Sequence, residues 1–207
     1  MSKSKVAIFW FRRDLRLDDN TGLYHALKGE YPVLPLFIFD SNILDKLEDE
    51  DDARVNFLHS ELSDINDQLK NKNSSVLVKH GTPVTIWQTL LQDYDIQALY
   101  ANRDYEPYAR ARDKEIYELL EAKGIKFHSF KDNVLFEKNE VIKDDGNPYV
   151  VFTPYSKLWL KTLKPEHLES VTSALQFENY YTGQVPEMPS LQDIGFRESS
   201  VPFPDKS

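Results

Sequence analysis

Two seven-residue runs dominated by apolar side chains, Lys5–Phe11 (KVAIFWF) and residues 33–39 (VLPLFIF), constrain the fold more than any other feature of this chain. Neither alternates apolar with polar, so each presents hydrophobic side chains on both faces. A strand can do that only at the centre of a sheet whose two sides are covered by helices. Residues 76–79, 98–101 and 125–130 are shorter runs of the same kind. The segments between them read as helices. Residues 53–69 place Val55, Leu58, Leu62, Ile65 and Leu69 three or four apart, which makes one apolar stripe. Thr82-Pro83 is an N-cap followed by proline at the first helical position, and the helix it opens carries Val84, Trp87, Leu90 and Leu91. Pro107 opens another, running to Lys123 with Gly124 as its stop. Five strands alternating with helices predict an α/β fold, a five-stranded, doubly wound parallel sheet of Rossmann-like type with right-handed crossovers.

Beyond Phe130 the alternation ends. Residues 134–151 hold the turn cluster DDGNP (144–148) between two apolar stretches, which predicts a hairpin-like excursion. Thr153-Pro154 starts a short helix through Leu163, and residues 164–207 show no sustained periodicity and five prolines. The expected organisation is an α/β core over residues 1–132, an excursion and short helix over 133–163 that complete the domain, and a linker or wrapping arm over 164–207 without a core of its own.

Composition narrows the classes. With 207 residues, 41% of them hydrophobic, the chain can build one domain and an appendage. It has no cysteine, hence no disulfide framework and no thiolate metal site, and a reducing compartment suits it. No apolar run approaches the ~20 residues that span a bilayer, and the N-terminus lacks the long apolar stretch of a signal peptide. A soluble, cytoplasmic protein without membrane contact is expected. The formal charge of −9 argues against this segment being a main nucleic-acid surface, because phosphate neutralisation needs a basic face. The acidic run EDEDD (48–52) reads as a solvated loop whose charge suits the following helix N-terminus.

Ligands of open α/β sheets bind beyond the carboxyl ends of the strands, where strand order reverses. For the order 3-2-1-4-5 that point lies between the first and fourth strands. The loops there are RRDLRLDDN (12–20) and NRDYE (102–106), while Asp40 ends the second strand and Arg54 begins the helix behind it. Arg13, Asp40, Arg54, Asp104 and Glu106 are thus the candidate ligand contacts, a set suited to a planar, hydrogen-bonding, partly anionic molecule. The competing reading makes Arg12, Asp14 and Arg16 ion pairs within the loop, Asp19 or Asn20 a helix cap, and Arg110, Arg112, Asp113 and Glu115 surface pairs. No glycine-rich phosphate loop, nucleophile elbow or paired-carboxylate signature occurs. His25, His59, His80, His128 and His167 have no metal-ligand spacing, so neither a metal nor a catalytic residue is assigned. Trp10, Trp87 and Trp159 are expected on core faces.

The same loops carry a resemblance. FWFRRDLRLDDN (9–20), NRDYEPYARARD (102–113), and GNPY (146–149) with VFTPY (151–155) and Trp159 occur in the order in which they open members of the DNA photolyase/cryptochrome family. The resemblance covers residues 5 to about 163. It implies the N-terminal domain that binds a light-harvesting antenna chromophore and passes excitation to FAD in a helical C-terminal domain, which binds damaged DNA and repairs pyrimidine dimers. That flavin domain lies outside this chain, so the segment by itself is not expected to be an enzyme. Carried over by position, Arg13, Asp40, Arg54, Asp104 and Glu106 match contacts to an 8-hydroxy-deazaflavin antenna. Glu106 also matches the carboxylate that meets methenyltetrahydrofolate in folate-using members, with Asn102 nearby. Asp104 favours the deazaflavin pattern. Two other functions remain open at this point: a cryptochrome-type signalling domain, and a stand-alone module binding adenine nucleotides.

Overall fold

The computed structural model describes residues 3–203. Five strands, β1 (Lys5–Phe11), β2 (Val33–Asp40), β3 (Leu77–Gly81), β4 (Asp95–Asn102) and β5 (Lys126–Phe130), form one sheet in the order β3-β2-β1-β4-β5. Every pairing is parallel. The order reverses between β1 and β4, which is the arrangement assumed in placing the candidate loops.

Alternation along β1 builds two cores. Ala7, Phe9 and Phe11 face one side, where α1 (Thr21–Leu27) and α3 (Ala53–Leu69) pack through Leu23, Leu27, Leu62 and Leu69. Val6, Ile8 and Trp10 face the other, under α4 (Pro83–Asp93) and α5 (Pro107–Glu121), which contribute Trp87, Leu90, Ile116 and Leu120. Asp52 of the acidic run caps α3 by accepting from the Arg54 backbone N–H at 2.8 Å, so its charge sits at the positive helix end. Gly22 allows α1 to lie close to the sheet: a Cβ there would stand 2.7 Å from Asn102 Oδ1 and 2.9 Å from the Phe9 ring.

Pro35 sits inside a central strand without breaking the ladder. Val33, two residues earlier, gives its N–H to Asn179 O and accepts from Tyr181 N, at 2.9 and 2.8 Å. Strand alternation puts the missing N–H of Pro35 on that same side, just before β3 begins to pair at Leu36 and Leu77.

Three expectations are corrected. Residues 134–151 form turns and bends, with no strand among them. The turn exists, closed by Gly146 N to Lys143 O and Lys143 N to Asn147 O, but Pro148 cannot donate and only Val141 of the flanks is buried, so no ladder follows it. Trp159 does not reach a core: α6 (Phe152–Thr162) buries none of its residues, and Trp159 packs half-buried on Phe136 with ring centroids 5.3 Å apart. Of the two readings of the arm beyond Lys164, the linker is the one corrected, and the arm wraps onto the domain. Ala174, Tyr180, Ile194 and Phe196 are buried in the α1/α3 core, and Asn179 Nδ2 lies 2.9 Å from Gly29 O and 3.1 Å from Tyr31 O. Among the described residues no helix is long and apolar enough to cross a membrane.

Candidate functional site

The carboxyl ends of β1 and β2, the short helix α2 (Ser41–Leu44), and the first turns of α3 and α5 enclose a cavity of about 850 Å³. That is ample for a ligand of two or three fused rings with a side chain. Its floor is apolar, formed by Phe11, Phe37, Phe39, Leu44, Val55 and Leu58, side chains that the sheet and α3 already hold in place. Charged groups gather at its rim. A second hollow of about 840 Å³ at the opposite end of the sheet is lined by Lys5, Asp95, Gln97 and Lys123, with Tyr94 as its one aromatic side chain.

Arg13, Asp40, Arg54, Asp104 and Glu106 all line the first cavity. Two loops, the end of β2 and the first turn of α3 bring them there. Arg13 follows β1 and lies 3.6 Å from Asp104 and 3.8 Å from Glu106, both in the loop after β4. Two thirds of the Arg13 side chain is exposed, so these ion pairs contribute only about 0–1 kcal/mol and leave the guanidinium free to turn. Arg54 is similarly exposed and is held against Asp52, whose carboxyl it keeps below the usual range by hydrogen bonding. Asp40 is buried. It caps α2 through the Asn42 N–H at 3.0 Å and accepts the Tyr108 hydroxyl at 2.5 Å. Burial, reinforced by that bond, pushes the Tyr108 phenol up to about 12.

Asn102 is not part of the cavity. Its amide is buried and committed: Nδ2 donates to Asp14 Oδ2 at 2.6 Å and Asn20 Oδ1 at 2.9 Å, and Oδ1 accepts the Gly22 N–H at 2.8 Å. These bonds tie the β1 loop, the Asn20 cap of α1 and the end of β4 into one unit. Burial raises the Asp14 carboxyl above its ordinary value, against the bonds from Arg12 N–H and Asn102.

Sequence reasoning missed four polar residues on the cavity wall: Tyr108, Arg12, Arg112 and Lys46. Arg112, expected on the helix surface, is 8% exposed. It and Arg12 share Asp113, with Arg12 Nη1 at 2.6 Å and Arg112 Nη2 at 3.0 Å, and their guanidinium carbons lie 4.5 and 4.9 Å from the Trp10 ring centroid. Arg12 Nε and Nη2 are buried and have no hydrogen-bond partner among the described residues. The signal was present: Arg112 follows Tyr108 by four positions, on the face of α5 that also buries Ala109 and Ile116.

A doubly wound sheet with a polar-rimmed, aromatic-floored cavity at its switch point defines a ligand-binding α/β domain. The DNA photolyase family model matches residues 7–173. The chain belongs to this family of photolyases and cryptochromes and corresponds to its N-terminal domain. A deoxyribodipyrimidine photo-lyase of Synechococcus sp. is 32% identical over 194 residues, 91% of this chain and 40% of that protein. The crystal structure of a class III photolyase from Agrobacterium tumefaciens superposes with a TM-score of 0.76 at 25% identity, over 93% of this chain and 38% of the other. An archaeal photolyase from Sulfolobus tokodaii, crystallised with two FAD molecules and described as implying a novel light-harvesting cofactor, is 36% identical over 64% of this chain and 30% of its own, with a TM-score of 0.58. The chain spans less than half the length of these three proteins.

Proposed function

We propose that this domain binds a planar light-harvesting chromophore in the cavity above β1 and β2 and serves a photolyase that repairs pyrimidine dimers in DNA with light. The observation that carries the reading is the convergence of Arg13, Asp40, Arg54, Asp104 and Glu106, dispersed over nearly a hundred positions, around one apolar floor. The residues fit such a guest. Phe37, Phe39 and Leu44 offer flat apolar contact, the arginines at the rim offer donors to ring oxygens, and the carboxylates accept from ring N–H and ribityl hydroxyls. When bound, the chromophore supplies absorption of near-ultraviolet or blue light and hands on the excitation. The protein's part is to hold the ring rigidly and keep water off its buried face.

The finer choice is an 8-hydroxy-deazaflavin rather than methenyltetrahydrofolate. Asp104 stands beside Arg13 at the rim, and the Asn102 amide, a folate-side contact in the resemblance, has no free donor left. In the family, FAD and the DNA surface belong to a helical domain. The exposed apolar side chains Val150, Val151, Phe152, Leu160 and Leu168 on and around α6 support a packing partner on that side.

Titrating the chain with 8-hydroxy-5-deazariboflavin and, separately, methenyltetrahydrofolate tests the reading. Saturable binding at micromolar concentration with a shifted or quenched emission, tighter for the deazaflavin, is expected. Retention of adenine nucleotides instead, with neither chromophore bound, refutes it.

A further inference from the structure

Of the three tryptophans only Trp10 lines the cavity, and its ring meets that of Trp87 edge-on, with centroids 5.7 Å apart. An indole beside a photoexcited ring is a hazard. One electron can leave the indole for the half-filled orbital of the excited guest; the indole is oxidised, the guest reduced, and the excitation is lost before it can be passed on. The excited guest is itself the oxidant, so nothing else is required. Trp87 lies close enough to share the resulting positive charge and so prolong the loss.

The charges packed on Trp10 oppose this step. Arg12 and Arg112 both stand over its ring, at 4.5 and 4.9 Å. Asp113 bridges the two guanidiniums and offsets one of them; Asp14, the other carboxyl coupled to Arg12, acts on it less than Asp113 does and is itself raised above its ordinary value by burial. The attraction between a cation and an aromatic face requires an electron-rich ring. Once an electron is withdrawn, that attraction becomes repulsion between like charges, in a buried setting where screening is weak.

We propose that Arg12 and Arg112 act as an electrostatic guard on Trp10, blocking electron transfer from its indole to the excited chromophore so that excitation leaves the cavity only as light energy. The buried Arg12 Nε and Nη2 have no hydrogen-bond acceptor among the described residues, and their guanidinium carbon lies 4.5 Å from the centre of that ring. The inference rests on the chromophore reading above.

The test loads the chain with 8-hydroxy-5-deazariboflavin and measures the fluorescence lifetime of the bound probe at saturation. Arg112→Met should shorten the lifetime several-fold, and in a Trp10→Phe background the same substitution should leave the lifetime at the Trp10→Phe value. Arg112→Lys, which keeps the cation, should retain most of the unaltered chain's lifetime. If Arg112→Met does not fold, Arg112→Gln, which still donates to Asp113, replaces it. An unchanged lifetime, or one shortened equally with and without Trp10, overturns the guard while leaving the chromophore site standing. Absence of saturable probe binding overturns the site and the guard together.

Discussion

Tyr108 donates its hydroxyl to the Asp40 carboxylate at 2.5 Å, joining the first turn of α5 to the end of β2 across the cavity mouth. The phenol, pushed up to about 12 by burial and by this bond, stays protonated as a donor at neutral pH. A group whose value is raised on folding contributes stability that is complete below its unfolded value, about 10 for tyrosine, and is lost as pH rises through the folded one. The protein should therefore lose stability between about pH 10 and about 12 in part through Tyr108. Tyr108→Phe should cost about 1–2 kcal/mol at pH 7 and remove that component of the alkaline decline, as read by denaturant unfolding at a series of pH values.

Asn102 makes a contrasting prediction. Removing its amide strands the Gly22 N–H and one oxygen of buried Asp14, while the Asn20 side-chain oxygen keeps the Leu23 N–H. Each unsatisfied buried group costs about 1–3 kcal/mol, and relaxation recovers part. Asn102→Ala should lower stability by about 3 kcal/mol in denaturant unfolding, yet leave deazaflavin affinity unchanged where the protein is folded. A large affinity loss at unchanged stability would return Asn102 to the binding site.

The difference between Asn102 and its neighbours explains how far this chain is legible. β1 and β2 could be read because their burial is two-sided over a whole run, and α3 and α5 because a stripe and a cap mark them. Five of the six candidate residues line one cavity because the fold and strand order bring those segments together. Whether an amide in such a loop faces the cavity or turns inward depends on partners eighty or more positions away, such as Gly22 and Asn20 for Asn102. The start of β4 escaped notice because Asp95 and Gln97 are polar, although backbone pairing to β1 begins there. Between linker and wrapping arm the sequence could not choose, for a related reason. The arm docks by single anchors, Ala174, Tyr180, Ile194 and Phe196, and isolated anchors leave no periodicity to detect.

That docking has a measurable consequence. Tyr180 is 3% exposed, donates its hydroxyl to Ala174 O, and lies where the arm pairs with Val33. Limited proteolysis should spare residues 174–196 and cut first around 144–151, where most side chains are exposed and no regular hydrogen-bonded element forms. Tyr180→Ala should cost about 3–5 kcal/mol and make the arm cleavable before the α/β core, which mass spectrometry of the fragments would reveal. Early cleavage within 174–196 in the unaltered chain would show that the anchors do not hold in solution.

The cavity's construction also predicts which of its residues supply affinity. Glu106 stands at an exposed rim, 3.8 Å from an arginine that is itself two thirds exposed, and contacts of that kind contribute about 0.2–1 kcal/mol. Glu106→Ala should therefore weaken deazaflavin binding only about two- to fivefold. Leu47 lies half-buried in the cavity wall, where a ring would cover the rest of it. Truncation to alanine removes apolar contact worth about 1.4 kcal/mol, or about tenfold in affinity. Fluorescence titrations of the two variants should rank Leu47→Ala as the more damaging. Because the rim carries both signs of charge, affinity should change little when added salt shortens the screening length. The reverse ranking, with steep salt dependence, would mean that the rim charges supply the binding energy and the aromatic floor only sets shape.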